Sequence, residues 1–415
     1  MLIEAAGDEI TIENSFDQHL LTPAYLANPY PYYHRLRREA PVFWSEAMGA
    51  WLLTRYCDAE AALRDPRLVS GTRISAAVQQ LPEAVQPEME ALQNHISTWM
   101  GFIDPPDHTR LRALVGNAFT PRMVRDLRPR IQAIVDELLD RVQEDGRMDA
   151  IADFAFPLPA IVIAEMLGLP PGDREQFKQW SNDVMAFLGT GRPRVDVARH
   201  AQRAVHTLKE YLGTIFAQRR RRPQDDLISA LLIAEEEGDR LSEEEMFGMC
   251  VFLLVAGHET TLALIGNGLL ALLRNPDQKR QLQEDPTLIE KAVEEFLRYD
   301  SPIQHQTRVA GENFELEGCR IRQGQRVLPM LGAANRDPAQ FDDPDRLDVR
   351  RQPNPHLAFG YGIHFCLGAP LARLEGQIAI QTILHRMPAL ELMNEPLSWR
   401  VHTSMRNPER LPVTF

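Results

Sequence analysis

His356-Leu-Ala-Phe-Gly-Tyr-Gly-Ile-His-Phe-Cys-Leu-Gly-Ala-Pro370 is the stretch that the rest of the chain serves. Gly360 and Gly362 lie just before Cys366 and Gly368 lies two residues after it. Glycines so placed let backbone approach a bulky planar ligand and take dihedrals closed to other residues. The loop runs into Leu371-Ala-Arg-Leu-Glu-Gly-Gln-Ile-Ala-Ile-Gln-Thr-Ile-Leu-His385, whose apolar positions recur at helical spacing. Cys366 thus sits at a loop-to-helix junction, where backbone N–H groups and the helix dipole favour a thiolate. A soft thiolate is an axial haem ligand that promotes O–O cleavage. A lone cysteine is more often a small buried residue, but the glycines on either side favour the ligand.

The pattern Phe359-x-x-Gly362-x-x-x-Cys366-x-Gly368 resembles the haem-binding loop of the cytochrome P-450 superfamily, the haem-thiolate monooxygenases. The resemblance implies haem b as cofactor, Cys366 as its iron ligand, and Phe359 and Gly368 against the haem. It also implies one mainly α domain with a small β region over 1–415, the triangular cytochrome P-450 fold of the soluble bacterial type. The helix-rich body is expected at about 105–300 and 356–388, and the sheet region at about 40–55, 305–330 and 389–415.

Composition agrees with such an enzyme. The chain has 415 residues, 44% apolar and 25% charged, as in ordinary globular proteins. A net charge of −13 argues against nucleic acid or an anionic membrane as the main partner. Cys57, Cys250, Cys319 and Cys366 are widely spaced, so a disulfide framework is not expected and a reducing cytoplasm fits. The N-terminus reads neither as a signal peptide nor as a membrane anchor, and the short tail after Cys366 predicts no fused reductase domain.

Residues 1–28 read as an irregular lead-in, followed by a helix from Pro29 to Glu39 and a hairpin of Val42-Phe-Trp with Trp51-Leu-Leu-Thr54. The stretch 65–104 has little clean period and is expected to be a long loop over a binding site. Asp104-Pro-Pro-Asp-His-Thr-Arg-Leu-Arg112 opens a helix with His108 and Arg112 on one face. That pattern also resembles the family's, and implies that both cations meet the haem propionates. Downstream, Arg110, Arg112, Arg122 and Arg125 predict a basic surface that steers an acidic partner. In the family this is a ferredoxin, fed with electrons from NAD(P)H by a ferredoxin reductase. Helical spacing then predicts a stripe of Leu127, Ile131, Ile134, Leu138 and Val142, and helices over Phe154–Leu167, Gly172–Leu188 and Arg194–Arg222, broken at Pro170-Pro171 and Gly189–Pro193. The arginine run 219–222 reads as a solvated helix end.

Ser242-Glu-Glu-Glu245 has the form of a capping box, and the helical pattern continues to Asn275-Pro276. A helix of about thirty residues spans near 50 Å. Its apolar middle is interrupted by Gly257-His-Glu-Thr-Thr261, which suits a core helix poorly because Gly costs about 1 kcal/mol and a buried carboxylate needs a partner. A local violation of this kind marks a functional place. Ala256-Gly-His-Glu-Thr-Thr261 resembles the family's oxygen-activation motif, which implies room for dioxygen at Ala256 and Gly257 and proton delivery through Glu259 and Thr260. An isolated Thr can instead bond its own helix carbonyls.

Nearer the cysteine, Glu295 and Arg298 share a helix face and match the family's Glu-x-x-Arg motif. Arg346 is the expected third member of that structural triad. The resemblance places Arg308 and His364 at the haem propionates, and Val255, Ala256, Ile303, Gln304 and Met405 at the substrate pocket. Together these imply a monooxygenase that inserts one atom of O2 into a C–H bond of a mid-sized hydrophobic substrate (a steroid, terpenoid or polyketide). Two other readings share the haem: a peroxide-driven peroxygenase on fatty-acid-like substrates, and a haem protein that only binds a gas. Glu259 and Thr260 argue against both.

Overall fold

Bulky apolar residues on either side of Gly49 form the expected hairpin: β1 (Val42–Ser45) pairs antiparallel with β2 (Ala50–Leu53), with Trp44 opposite Trp51. Gly49 takes φ +57° and turns the chain. The computed structural model describes residues 12–188, 194–236 and 241–415. Further along are β3 (Leu68–Val69), β4 (Arg308–Ala310) and β5 (Arg326–Pro329). The five strands lie in the order β1-β2-β5-β4-β3, with β2 parallel to β5. The N-terminal hairpin is therefore sewn to a segment about 275 residues later, and β4 joins it from the same region. Strands near the C-terminus form a separate sheet, Pro412–Thr414 between Glu391–Leu392 and Arg147–Asp149.

Helices make up the body. α1 spans Asp107–Ala118, α2 Arg128–Val142, α3 Val195–Arg221, α4 Glu243–Arg274, α5 Ile289–Tyr299 and α6 Ala369–Arg386. The predicted stripe on α2 is buried at Ile131, Ile134 and Leu138. α4 is the axle. Its capping box forms as the sequence predicts: Ser242 Oγ accepts from the Glu245 N–H at 3.2 Å, and Glu245 Oε2 accepts from the Ser242 N–H at 2.7 Å. Three acidic residues occupy its first turn, which suits the positive end of the dipole. It packs against α5, α6 and the helix Pro157–Met166. Long and apolar enough to cross a bilayer, it is nevertheless largely buried in the protein, as a core helix is.

Three readings change. The lead-in 1–28 is helical where described, at Ile12–His19 and Pro23–Ala27; residues 1–11 lie outside the described residues, as does the Gly189–Pro193 break. The 65–104 stretch is a chain of short helices, Arg73–Val78, Gln86–Met89, Glu90–Ile96 and Met100–Phe102. Each is too short to display a period, yet Ile74, Met89, Leu92, Ile96 and Trp99 are all buried. Of the arginine run, Arg219 turns inward, pairs with Asp226 at 2.5 Å and donates to the Gly168 carbonyl at 2.6 Å. A run of four on a helix of 3.6 residues per turn must bring one residue to the inner face.

Candidate active site

The cysteine loop is built by its glycines. Gly360 and Gly362 both take φ +71°. A Cβ on Gly362 would lie 3.0 Å from the Leu63 carbonyl, and one on Gly360 only 2.7 Å from Gln306 Nε2, so side chains are excluded on two counts. The Cys366 N–H donates to the Phe359 carbonyl at 2.9 Å, closing the loop just ahead of α6. Burial raises the Cys366 thiol pKa, against the pull of the Gly368 and Ala369 N–H groups and of Arg112 and Arg373.

Neighbouring side chains brace this loop. Glu294 on α5 accepts two bonds of 2.7 Å from Arg373 on α6 and lies 3.1 Å from His356 at the loop's start. Arg373 also stacks over the Phe359 ring at 4.6 Å. At the next residue of α5, Glu295 forms a fully buried bidentate pair with Arg298 at 2.8 Å. The third member of the triad is Arg351, 3.2 Å from Glu295, and not Arg346. Arg346 turns outward, 66% exposed, and pairs with Asp348, while its carbonyl accepts from Arg298 and Arg351.

Opposite the loop, α4 supplies the other wall of a cavity of about 350 Å3. Val255, Ala256, Gly257 and Thr260 face it from one side, Phe359, Cys366 and Gly368 from the other. Thr260 Oγ1 donates to the Ala256 carbonyl at 2.9 Å. Glu259 is 1% exposed and stands off the wall, ion-paired to Arg400 of the C-terminal loop. At one edge His108, Arg112, Arg308 and His364 converge, the two imidazole centroids 4.3 Å apart. Burial lowers the His364 pKa to about 3, helped by Arg308, His108, Arg73 and Arg112. Both ring nitrogens of His108 are buried without a partner.

A family model described as Cytochrome P450 matches residues 76–395. The chain belongs to the cytochrome P450 family. It is 44% identical over 393 residues to the biotin biosynthesis cytochrome P450 of Bacillus subtilis (strain 168), covering 94% of this chain and 97% of that one. It is 44% identical over 406 residues to the vitamin D(3) 25-hydroxylase of Pseudonocardia autotrophica, covering 96% and 97%. Its fold matches the crystal structure of P450BioI in complex with hexadec-9Z-enoic acid ligated acyl carrier protein, with TM-score 0.87 and 43% identity over 94% of this chain and 99% of that one. The chain is thus a cytochrome P450 monooxygenase of bacterial type with the single-domain, mainly α P450 fold, and the family binds haem b through a cysteine thiolate.

The residues of this P450 fit that group. Arg112, Arg308 and an orphaned imidazole meet at one edge, where the nearby Asp104 carboxylate is already taken up by the Ser70 and Gly71 N–H groups, which suits two propionates. The Gly368 Cβ direction meets nothing nearer than Cys366 Sγ at 4.0 Å, so the backbone beside the thiol is open.

Two expected pocket residues point elsewhere. Gln304 donates to the Ser301 carbonyl at 2.7 Å and accepts from the Tyr33 hydroxyl at 3.1 Å, away from the cavity. Met405 is buried behind the wall and its backbone bridges Ile303. Extended backbone alternates, so Ile303 and His305 face the cavity while Gln304 faces away. Thr403 and Ser404 line it in place of Met405. Arg351, Arg400 and Arg73 were not singled out from the sequence. The only signal was the pair Arg350-Arg351 just past Arg346; nothing local marks the other two. Of the four basic residues expected to face a redox partner, Arg112 lines the cavity and Arg110 pairs with Glu245, which leaves Arg122 and Arg125 exposed.

Proposed function

We propose that Cys366 is the haem iron ligand of this monooxygenase and that Glu259 and Thr260 deliver the protons that oxygen cleavage consumes. One observation carries this reading: Cys366 and the Ala256-Gly257-Thr260 face of α4 line the same cavity from opposite sides. Bound haem supplies the oxygen activation, in which two electrons and two protons turn O2 and a C–H bond into an alcohol and water. Cys366 contributes thiolate electron density, and His108, Arg112, Arg308 and His364 hold the propionates. Ala256 and Gly257 keep the space over the ring clear. The Thr260 hydroxyl, which donates to the Ala256 carbonyl, would hold a proton at the wall for delivery into the cavity. Glu259 brings protons from the side of Arg400, which is 26% exposed and so reaches toward water.

The substrate is a mid-sized hydrophobic molecule of the steroid, terpenoid or polyketide kind. Relatives named as a vitamin D(3) 25-hydroxylase and as a polyketide biosynthesis cytochrome P450 support that class, as does a wall that mixes Trp99, Met100 and Phe252 with His305, Thr403 and Ser404. Electrons arrive from an acidic ferredoxin at the face carrying Arg122 and Arg125, in a cytoplasmic enzyme. Absorption titration of wild type and Cys366→Ala with a panel of such compounds tests the site. Wild type is expected to give a Soret band that shifts to high spin with a bound substrate, and Cys366→Ala to lose it. An unchanged Soret band in Cys366→Ala would overturn the assignment.

A further inference from the structure

Glu259 needs a fresh proton at every turnover, and the main cavity is a poor place to find one. A hydrophobic substrate drives water out of that cavity, and neither Glu259 nor Arg400 belongs to its wall. The supply has to come from the Arg400 side.

A second cavity, of about 20 Å3, lies on that side, and Arg400 lines it. Thr403 belongs to its wall and to that of the main cavity, so the C-terminal loop is the partition between the two. One water needs about 10–15 Å3 and two to four polar partners. Three partners are at hand. Asn407 also lines the second cavity and is 4% exposed. Its Nδ2 donates to the Pro408 carbonyl at 2.9 Å, but its Oδ1 has no partner among the described residues. Tyr33 gives its proton to Gln304 Oε1 at 3.1 Å, so the Tyr25 hydroxyl, 3.0 Å away, donates to Tyr33 and keeps its own oxygen free to accept. Burial raises the Tyr25 pKa to about 12, which makes that phenol an acceptor here and not the acid. Arg400 spends one guanidinium N–H on Glu259 and has others to donate. A water between these groups would give its two protons to Asn407 and Tyr25 and accept from Arg400.

We propose that this second cavity holds an ordered water that supplies protons to Glu259, by an entry that stays hydrated while substrate fills the main cavity. The proposal rests on the Glu259–Thr260 reading and gives that relay its source. A proton passed to the Glu259 carboxylate is replaced from bulk water alongside Arg400, whose side chain is 26% exposed. No electron moves in this step, and the water is regenerated.

The test compares haem-loaded wild type with Leu26→Trp, which fills the second cavity from a residue outside the relay, with Asn407→Leu, which removes an acceptor, and with Glu259→Gln. Crystal structures of the wild type with and without the panel compound giving the largest Soret shift should both show a water within hydrogen-bond distance of Asn407 Oδ1. Turnover of that compound is followed in H2O and D2O with a bacterial [2Fe–2S] ferredoxin and its reductase, counting product and peroxide. Leu26→Trp and Asn407→Leu should keep haem content and Soret shift but form product at least about tenfold more slowly, with more peroxide and a larger solvent isotope effect. That loss approaches the roughly 10²–10⁴-fold expected when a general acid is removed, as in Glu259→Gln. A wild-type cavity without that water would overturn the proposal. If Glu259→Gln diverts electrons to peroxide and the other two variants match wild type, the second cavity alone is refuted. If Glu259→Gln also matches wild type, the relay through Glu259 falls and this entry falls with it.

Discussion

Replacing Arg351 by Met separates the observed partner of Glu295 from the one expected in sequence. The Glu295 carboxylate is fully buried and accepts from Arg298 Nε and Nη2, Arg351 Nε, the Asp348 N–H and Asn354 Nδ2, at 2.8 to 3.2 Å. Arg351→Met removes one charge-assisted bond to a buried anion, about 1.5–3 kcal/mol. It also frees the Asp342, Asp343 and Arg346 carbonyls, but these bonds are exposed and water replaces them at small cost. The expected loss is about 2–3 kcal/mol. Arg346→Met removes only an exposed pair with Asp348, worth about 0–1 kcal/mol. The assay is urea unfolding of both variants at matched haem loading. At an m-value of about 3 kcal/mol/M, Arg351→Met should lower the midpoint by roughly 0.7–1 M and Arg346→Met by no more than about 0.3 M. Since the same segment leads into the cysteine loop, haem should also leave Arg351→Met faster. Equal midpoints for the two variants would refute the reasoning.

Thr260→Ala should bind haem and substrate normally but divert reducing equivalents to peroxide; full coupling of electrons to product would remove Thr260 from the proton path. Glu294 is held at a pKa of about 2, since hydrogen bonds from Arg373 and His356 outweigh a burial effect that pushes it up. A depressed carboxylate contributes stability that is present above its unfolded pKa, about 4.3, and fades as pH falls toward 2. The stability gap between wild type and Glu294→Gln should therefore narrow on acidification from about pH 6 to about pH 3, and a gap that widens would contradict the assignment. Arg122→Glu with Arg125→Glu should slow reduction by an acidic ferredoxin and flatten its salt dependence. Unchanged kinetics would move the docking face elsewhere. Arg110 is spared in this variant because a glutamate there would face Glu245.

What could be read from the chain was whatever is encoded locally. The Cys366 loop, the capping box at Ser242 and the Trp44–Trp51 hairpin each hold their cause within a few residues, and each formed where expected. The errors share a different origin. Position 304 or 305 facing the cavity is a matter of phase, and the phase is set when the Gln304 N–H meets the Ser404 carbonyl at 2.7 Å, a hundred residues away. Arg346 and Arg351 are the same residue type on one meander, so only the path of the backbone decides which one reaches Glu295.

Glu259 carries this furthest. Its sequence context announced a buried carboxylate in need of a partner, a physical requirement that any correct fold had to meet. It did not say that the partner would be Arg400, because Trp399-Arg400-Val401 has no mark that distinguishes it from a surface strand. Sequence identifies a group whose burial would be costly, and the fold alone shows whether that cost is met from within. For Glu259 the chain meets it with Arg400.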